Sequence, residues 1–327
     1  MTSKTNGAFK IAALLALVAF AFAIAGCGDD KSDTSSSDSS ADATAIVSNP
    51  ANAKTPTLTI GSKNFTEQKL LGEIYAQALS AAGYNTKTEL NLGDEKTALK
   101  ALNDGTISGY PEYTGTALLS FFNVPSDKLP SDPQAAYDQV KTDFAKDDIE
   151  VFAQTPFTSS NEVGLTKEKA DELGVKNISD LKGKSQDLTL YGTPECRQRL
   201  DCLLGLEQVY GLKFKKFVPV DPALRHEVLE KGQADVSIVF TTDPQNKRDG
   251  VVLLKDDKKM FPPYNSVFLT KTTTAEKAGP DYQKTIEEVN KGLDAATIQE
   301  LNARVDLDKK TPKAVAAEYL SESGYTD

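Results

Sequence analysis

The sequence predicts an α/β chain built as two lobes with a ligand cleft between them. Three observations predict it. Strand-like and helix-like segments alternate from Thr57 onward, and the alternation restarts after a helix near Asp132 to Lys146. The last helices also have nothing of their own to cover unless they return to the first sheet. The outer lobe is then discontinuous, residues 57–154 and 260–327, and the middle lobe is continuous, residues 155–259. Crossings near Gln154 and Met260 make a hinge, and small ligands favour the cleft between lobes.

Thr57 to Ile60 reads as a short strand. Asn64, with Glu67 three residues on, offers an N-cap ahead of Leu70, Leu71, Ile74, Ala78 and Leu79, which recur at helical spacing. Thr86 to Leu92 reads as a strand, Glu95 to Asn103 as a helix and Ile107 to Tyr110 as a third strand. At its end Pro111 and Gly115 are expected to break regular structure, leaving Tyr110, Tyr113, Thr114 and Thr116 on a turn. Rings and hydroxyls on such a loop suit ligand capture, although either tyrosine alone reads equally well as core. Strands follow at Glu150 to Ala153 and Glu162 to Thr166, with a small helix at Glu168 to Leu173. A strand Leu188 to Tyr191, a helix Leu203 to Tyr210, a strand Lys215 to Val218, a helix Ala223 to Lys231 and a strand Asp235 to Phe240 complete the middle lobe. Pro262-Pro263-Tyr264 leads into one more strand through Leu269, and three amphipathic helices run from Ala275 to Glu322.

The beginning of the chain has a different character. Lys4 and Lys10, the apolar run Ile11 to Ala25, and Gly26-Cys27 make an export-signal pattern, too short and too near the terminus for a spanning helix. Ile24-Ala25-Gly26-Cys27 resembles the lipobox of bacterial lipoproteins. That resemblance implies a signal peptide over 1–26 and an extracytoplasmic chain attached to the membrane by lipid on Cys27; a plain cleaved signal is the alternative. Residues 27–56, rich in Ser, Asp and Ala, bury too little to offset chain entropy and read as a flexible tether.

A net charge of -10, with Lys and Arg scattered, argues against nucleic acid as a partner. With Cys27 assigned to lipid, Cys196 and Cys202 remain as an even pair in an oxidising compartment. A disulfide is expected there, with two reduced thiols as the alternative. A metal site competes poorly, because the lone His226 lies in another segment. Neither metal nor cofactor is expected.

Gly61-Ser-Lys-Asn-Phe-Thr-Glu-Gln68 follows the first strand and opens the first helix. Gly61 permits close backbone approach, Lys63 supplies a cation, and Asn64 and Thr66 place donors near a positive helix end. The segment suits an anionic group, unless Lys63 is merely a solvated loop lysine. A hydrolase would need a nucleophile beside a base, whereas His226 sits between Arg225 and Glu227 on a predicted helix. Asp243 and Glu112 read better as capping or loop-holding acids than as a catalytic pair, and no Gly-rich phosphate loop with a following lysine occurs. The chain is not expected to be an enzyme.

Five motifs in order carry a resemblance: Gly61 to Gln68; Tyr110 to Thr116; Gly192-Thr-Pro-Glu195 through Arg199, Asp201, Gly205 and Tyr210-Gly211; Phe240-Thr-Thr-Asp243; and Pro262-Pro-Tyr-Asn265. From Thr57 to Gly324 the chain resembles the substrate-binding proteins of ABC importers for glycine betaine, choline, carnitine and related osmoprotectants. The resemblance implies a two-lobed periplasmic-binding-protein-like fold of type II, a small quaternary-amine ligand, and a membrane permease and ATPase as partners. The receptor itself is expected to be a monomer that closes on ligand.

In that family a box of rings surrounds the trimethylammonium head, because negative ring faces attract a cation that has no N–H; each contact contributes about 0.5–2 kcal/mol. The resemblance carries Tyr113, Phe240 and Tyr264 over to the box. It carries Lys63, Arg199 and Thr116, beside Asn64, over to a betaine carboxylate, arginine offering a planar fork and lysine a point charge. A further ring is expected within Phe157 to Glu162, where Asn161 stands instead, so Tyr191 or Tyr110 would have to supply that face. Arg199 lies between the two cysteines, and a disulfide would either rigidify the loop presenting it or only staple an exposed loop. A receptor of the same architecture for an amino acid or other polar solute is the competing reading, and it requires an acid facing the ammonium.

Overall fold

The computed structural model describes residues 44–125 and 128–327. The expected signal peptide, Cys27 and the expected tether up to residue 43 lie outside the described residues. Among the described residues, ten strands form two five-stranded sheets. The first contains β1 (Leu58–Gly61), β2 (Thr86–Glu89), β3 (Gly109–Tyr113), β4 (Ile149–Val151) and β10 (Ser266–Lys271) in the order β2-β1-β3-β10-β4. The second contains β5 (Asn161–Leu165), β6 (Thr189–Gly192), β7 (Lys216–Pro219), β8 (Val236–Phe240) and β9 (Val252–Leu254) in the order β7-β6-β8-β5-β9.

The two sheets share one plan. Each is parallel except for one strand, second from an edge, and that strand is the first one reached after the chain crosses between sheets: β5 on the way out, β10 on the way back. The crossings are stitched together by an antiparallel bridge between Thr158 and Asn265. Asn265 Nδ2 donates to the carbonyls of Thr155 and Phe157 at 3.0 and 3.1 Å, and Ser159 N donates to Tyr264 O at 3.0 Å. Backbone that would otherwise be orphaned between two cores is satisfied within the hinge.

Local chemistry explains several helix starts. Asp94 caps the helix Glu95–Asn103 by accepting from Thr97 N at 2.8 Å, and Asp132, Asp294 and Thr311 cap later helices in the same way. Asn64 does not cap the first helix, Thr66–Ala81: the N-cap is Phe65, which makes no side-chain cap bond. Asn64 is instead tied one residue upstream, its N–H donating to Gly93 O at 3.1 Å.

The expected turn after Tyr110 is also absent. Pro111 lies inside β3, opposite Phe268 of β10, and the strand continues to Tyr113. Phe268 O accepts from Phe152 N on its β4 side, so its backbone does not look for a partner at Pro111. On the other side, β1 pairs with β3 only at Gly109. A residue without an N–H fits where neither neighbour needs one. The chain turns only after Tyr113, through a helical turn Thr114–Thr116 and a π-helical stretch Ala117–Phe121.

The terminal helices Pro280–Lys291, Ala295–Asp306 and Pro312–Glu322 return to the first lobe, where Ile286, Ile298, Leu301, Val315 and Leu320 share a core with Leu70, Ile74 and Leu79. Each such buried aliphatic contributes about 1.5–3 kcal/mol. Residues 44–56, expected to continue the tether, belong to this lobe as well. Ile46 N donates to Tyr325 O at 2.9 Å, Asn52 Nδ2 to Ala82 O at 2.9 Å and Asn49 Nδ2 to Asp281 Oδ2 at 2.7 Å. A polar composition hides such docking, because asparagines bond carbonyls and carboxylates without burying apolar area.

Candidate functional site

A partly enclosed cavity, open at its mouth, lies between the two sheets, where small-molecule sites commonly form. Eight of the residues expected at a ligand site line it. Lys63 and Asn64 follow β1, Tyr113 ends β3 and Thr116 follows it, Asn161 begins β5, Arg199 lies in the cysteine loop, Phe240 ends β8, and Tyr264 lies in the returning crossing. Carboxyl ends of parallel strands from both lobes thus converge, the usual place for a ligand in open α/β sheets.

The rings meet as a series. Tyr113 stacks on Phe65 at 6.2 Å between centroids and 20° between planes, and Phe65 meets Phe240 across the cleft at 5.2 Å and 55°. Tyr264 closes over the turn at Gly115, where an added Cβ would come within 2.6 Å of its ring; only glycine allows that approach. The ring hydroxyls are anchored outside the cavity's centre: Tyr113 donates to Glu67 Oε1 at 2.6 Å and Tyr264 to Asp201 Oδ2 at 2.5 Å. Burial, then the charge of Glu67, raises the Tyr113 phenol well above its ordinary value, so it stays neutral and donating.

Each cation of the site faces an acid. Lys63, 4 % exposed, pairs with the fully buried Glu112, and its ammonium stands 4.8 Å from the Tyr113 centroid and 5.9 Å from that of Phe65. Burial raises the Glu112 carboxyl above its usual range even though Lys63 pulls the other way. Arg199 makes a two-pronged pair with Asp201, Nε to Oδ1 at 2.7 Å, and reaches Glu95 across the cleft at 3.2 Å. Burial alone would raise Asp201, but Arg199 and the Tyr264 hydroxyl outweigh it and hold the carboxyl below its ordinary value. Arg225 forks onto Asp243 while its guanidinium lies 4.3 Å from the Phe240 centroid. Asp243 also accepts from His226 Nε2 at 2.9 Å and from Phe240 N at 2.8 Å, fixing ring and guanidinium together.

One expectation changes, at the wall around position 161. Asn161 lines the cavity, but its amide donates to Asp201 O at 3.0 Å and so braces the cysteine loop. Tyr110 is fully buried in the core with its hydroxyl on Glu112 at 3.2 Å, and Tyr191 packs against the second lobe's Val228 group, so neither ring lines the cavity. Phe65, Arg225 and the acids Asp94, Glu95 and Glu195 also line it, and the sequence reading had not singled them out as ligand residues. Phe65 stood inside the first motif as an apolar residue beside a lysine; Arg225 was visible only as a charged neighbour of His226.

Cys196 and Cys202 are joined in a disulfide, with Cα atoms 5.1 Å apart and Arg199 midway between them. Among the described residues no group of His, Cys, Asp and Glu is placed to hold a metal ion, and no helix is long and apolar enough to cross a membrane.

Two α/β lobes of like plan, two stitched crossings and a ring-lined, charged cavity between them define a two-lobed solute receptor. The chain belongs to the family described as the substrate-binding domain of ABC-type glycine betaine transport systems, whose match spans residues 56–322. It is therefore the substrate-binding component of an ABC transporter, acting outside the cytoplasm, and not an enzyme.

A glycine-betaine-binding protein of Pseudomonas aeruginosa is 32 % identical over 84 % of this chain and 90 % of its own length. An ergothioneine transport permease/ergothioneine-binding protein of Helicobacter pylori is 28 % identical over 84 % of this chain, which spans 49 % of that longer protein. Among solved structures, one described as a glycine betaine/carnitine/choline ABC transporter superposes with a TM-score of 0.65 at 25 % identity, covering 83 % of this chain and all of the other.

Proposed function

We propose that the cavity captures glycine betaine or a related quaternary amine and that the loaded receptor delivers it to a membrane permease driven by a separate ATPase. The observation that carries this reading is the convergence of Tyr113, Phe240 and Tyr264, from three separate segments, on one cavity of a chain in the glycine betaine family. A trimethylammonium head has no N–H to satisfy, so ring faces are its natural surroundings. Glycine betaine and ergothioneine, the ligands named for the two relatives, both carry that group.

A ligand carboxylate is assigned to Lys63, Arg199 and the Thr116 hydroxyl, with Asn64 at the edge. Glu112, Asp201 and Glu95 neutralise Lys63 and Arg199, yet both cations retain N–H groups beyond the bonds described above. The disulfide is assigned the task of holding the loop that presents Arg199. Further assignments rest on the sequence: a lipid on Cys27, a monomeric receptor, and lobes at residues 57–154 with 260–327, to which the docked residues 44–56 are added, and at 155–259.

A receptor for an amino acid is favoured by one observation, the acids Asp94, Glu95 and Glu195 on the cavity walls. A thermal-shift screen separates the two readings, because a ligand that binds only the folded state raises apparent stability by about 2.7 kcal/mol at a hundredfold excess over Kd. Glycine betaine, choline, carnitine or ergothioneine is expected to shift the transition and the standard amino acids are not. A shift by an amino acid alone would overturn the quaternary-amine reading.

A further inference from the structure

We propose that Phe65 is the fourth ring of the cation site and takes the wall that family resemblance assigns to position 161. The inference rests on the quaternary-amine reading above. Asn161 is not a substitute face, since its amide is turned to the Asp201 carbonyl. Phe65 supplies a ring by another route. It comes from the opposite lobe and stands between two rings assigned to the box, 6.2 Å from Tyr113 and 5.2 Å from Phe240.

Its backbone explains how it reaches the cavity. Phe65 is the N-cap of the helix Thr66–Ala81 with extended angles, φ -122 and ψ 164. A ring at this position cannot cap, and no side-chain cap bond is made. The site occupies a position where a short polar residue serves the helix better. The electrostatics agree, since the Lys63 ammonium stands 5.9 Å from this ring and 4.8 Å from Tyr113, beside the same pair of faces, with Glu112 neutralising it. A second cation therefore meets negative ring faces without facing an uncompensated charge. Phe65 and Phe240 are, among the described residues, the one ring pair that spans the two sheets' lobes, so this wall is complete only when the lobes are together.

The test compares glycine betaine with tert-butylacetate, which has the same shape and carboxylate but a carbon in place of the charged nitrogen. Both are titrated calorimetrically into the full chain in detergent, as wild type, Phe65→Leu and Phe65→Tyr. Phe65→Leu is expected to weaken glycine betaine about tenfold while tert-butylacetate changes far less, and Phe65→Tyr is expected to restore wild-type behaviour. Equal loss for both ligands would make Phe65 only an apolar wall and overturn the proposal, as would unchanged glycine betaine affinity. Should Phe65→Leu unfold, stepwise fluorination of the Phe65 ring keeps its shape and weakens its negative face. Affinity for glycine betaine is then expected to fall with each fluorine, and a flat series overturns the proposal. Wild-type protein that binds neither glycine betaine nor choline would overturn the quaternary-amine reading itself, a result distinct from any variant effect.

Discussion

Asp201 accepts from Arg199 and from the Tyr264 hydroxyl, so one fully buried carboxylate holds both a candidate anion-binding residue and a candidate ring. Removing its charge leaves Arg199 with only Glu95. Asp201→Asn is expected to lower stability by about 3 kcal/mol in urea unfolding at neutral pH and to weaken ligand binding as Tyr264 loses its anchor. The pH dependence follows from the direction of the shift. Because the folded carboxyl sits below its ordinary value of 3.8, its contribution is present above that pH and is lost as pH falls through the folded value. The variant should therefore lose less than the wild type on acidification below about pH 4. Equal acid sensitivity in both proteins would contradict this account of Asp201.

Single elements carry effects of opposite sign. On β5, Asn161 faces the cavity and Glu162, next along the strand, faces away. Burial first, and then the charge of Asp256, pushes the Glu162 carboxyl up from 4.5 to about 7. A raised carboxyl favours the folded state below its unfolded value, and that advantage is lost as pH rises through the folded one. Glu162→Gln is therefore expected to stabilise the protein by up to about 3 kcal/mol at pH 8, with the gain gone by about pH 4.5. Thermal unfolding at both pH values checks it, and a gain that does not depend on pH would point to a packing change instead. At the turn after β3, Gly115→Ala would drive a methyl into the Tyr264 ring. A stability loss of about 1–3 kcal/mol and at least tenfold weaker binding are expected. Reducing the Cys196–Cys202 bond should weaken binding if the loop presents Arg199; unchanged affinity would leave the bridge a staple.

The alternation of strands and helices was legible because it rests on local spacing, and the expected cavity residues, Asn161 apart, were legible because they lie in the five motifs that carry the family resemblance. Pairing was not. Pro111 looked like a break because a proline inside a sheet is acceptable only when both neighbours leave its N–H position free, and β10, the strand that permits it, lies far along the chain. Asn64 looked like a cap because capping is read from residue type, whereas the helix start was moved by the backbone bond to Gly93. Phe65 and Arg225 were missed for a related reason. Their roles appear only once Phe240 is placed beside each of them in the folded protein, across the cleft from Phe65 and within the same lobe as Arg225.

For the whole molecule, the contacts that span the cleft act together. Arg199 to Glu95, Gln245 to Asp306 at 3.1 Å, and Phe65 against Phe240 all join the two lobes around the cavity. A ligand that sits among them favours the closed arrangement by its differential affinity for it. Small-angle scattering is expected to show compaction at saturating glycine betaine; an unchanged radius of gyration would count against ligand-driven closure. The most direct measurement of the central claim is a calorimetric series of glycine betaine, dimethylglycine and glycine, which keeps the carboxylate and removes only methyl groups. Rings around a cation predict that affinity falls at each step and that glycine does not bind measurably. Glycine binding as tightly as glycine betaine would contradict the account, because an acid facing an ammonium, not the ring series at Tyr113, Phe65, Phe240 and Tyr264, would then define the site.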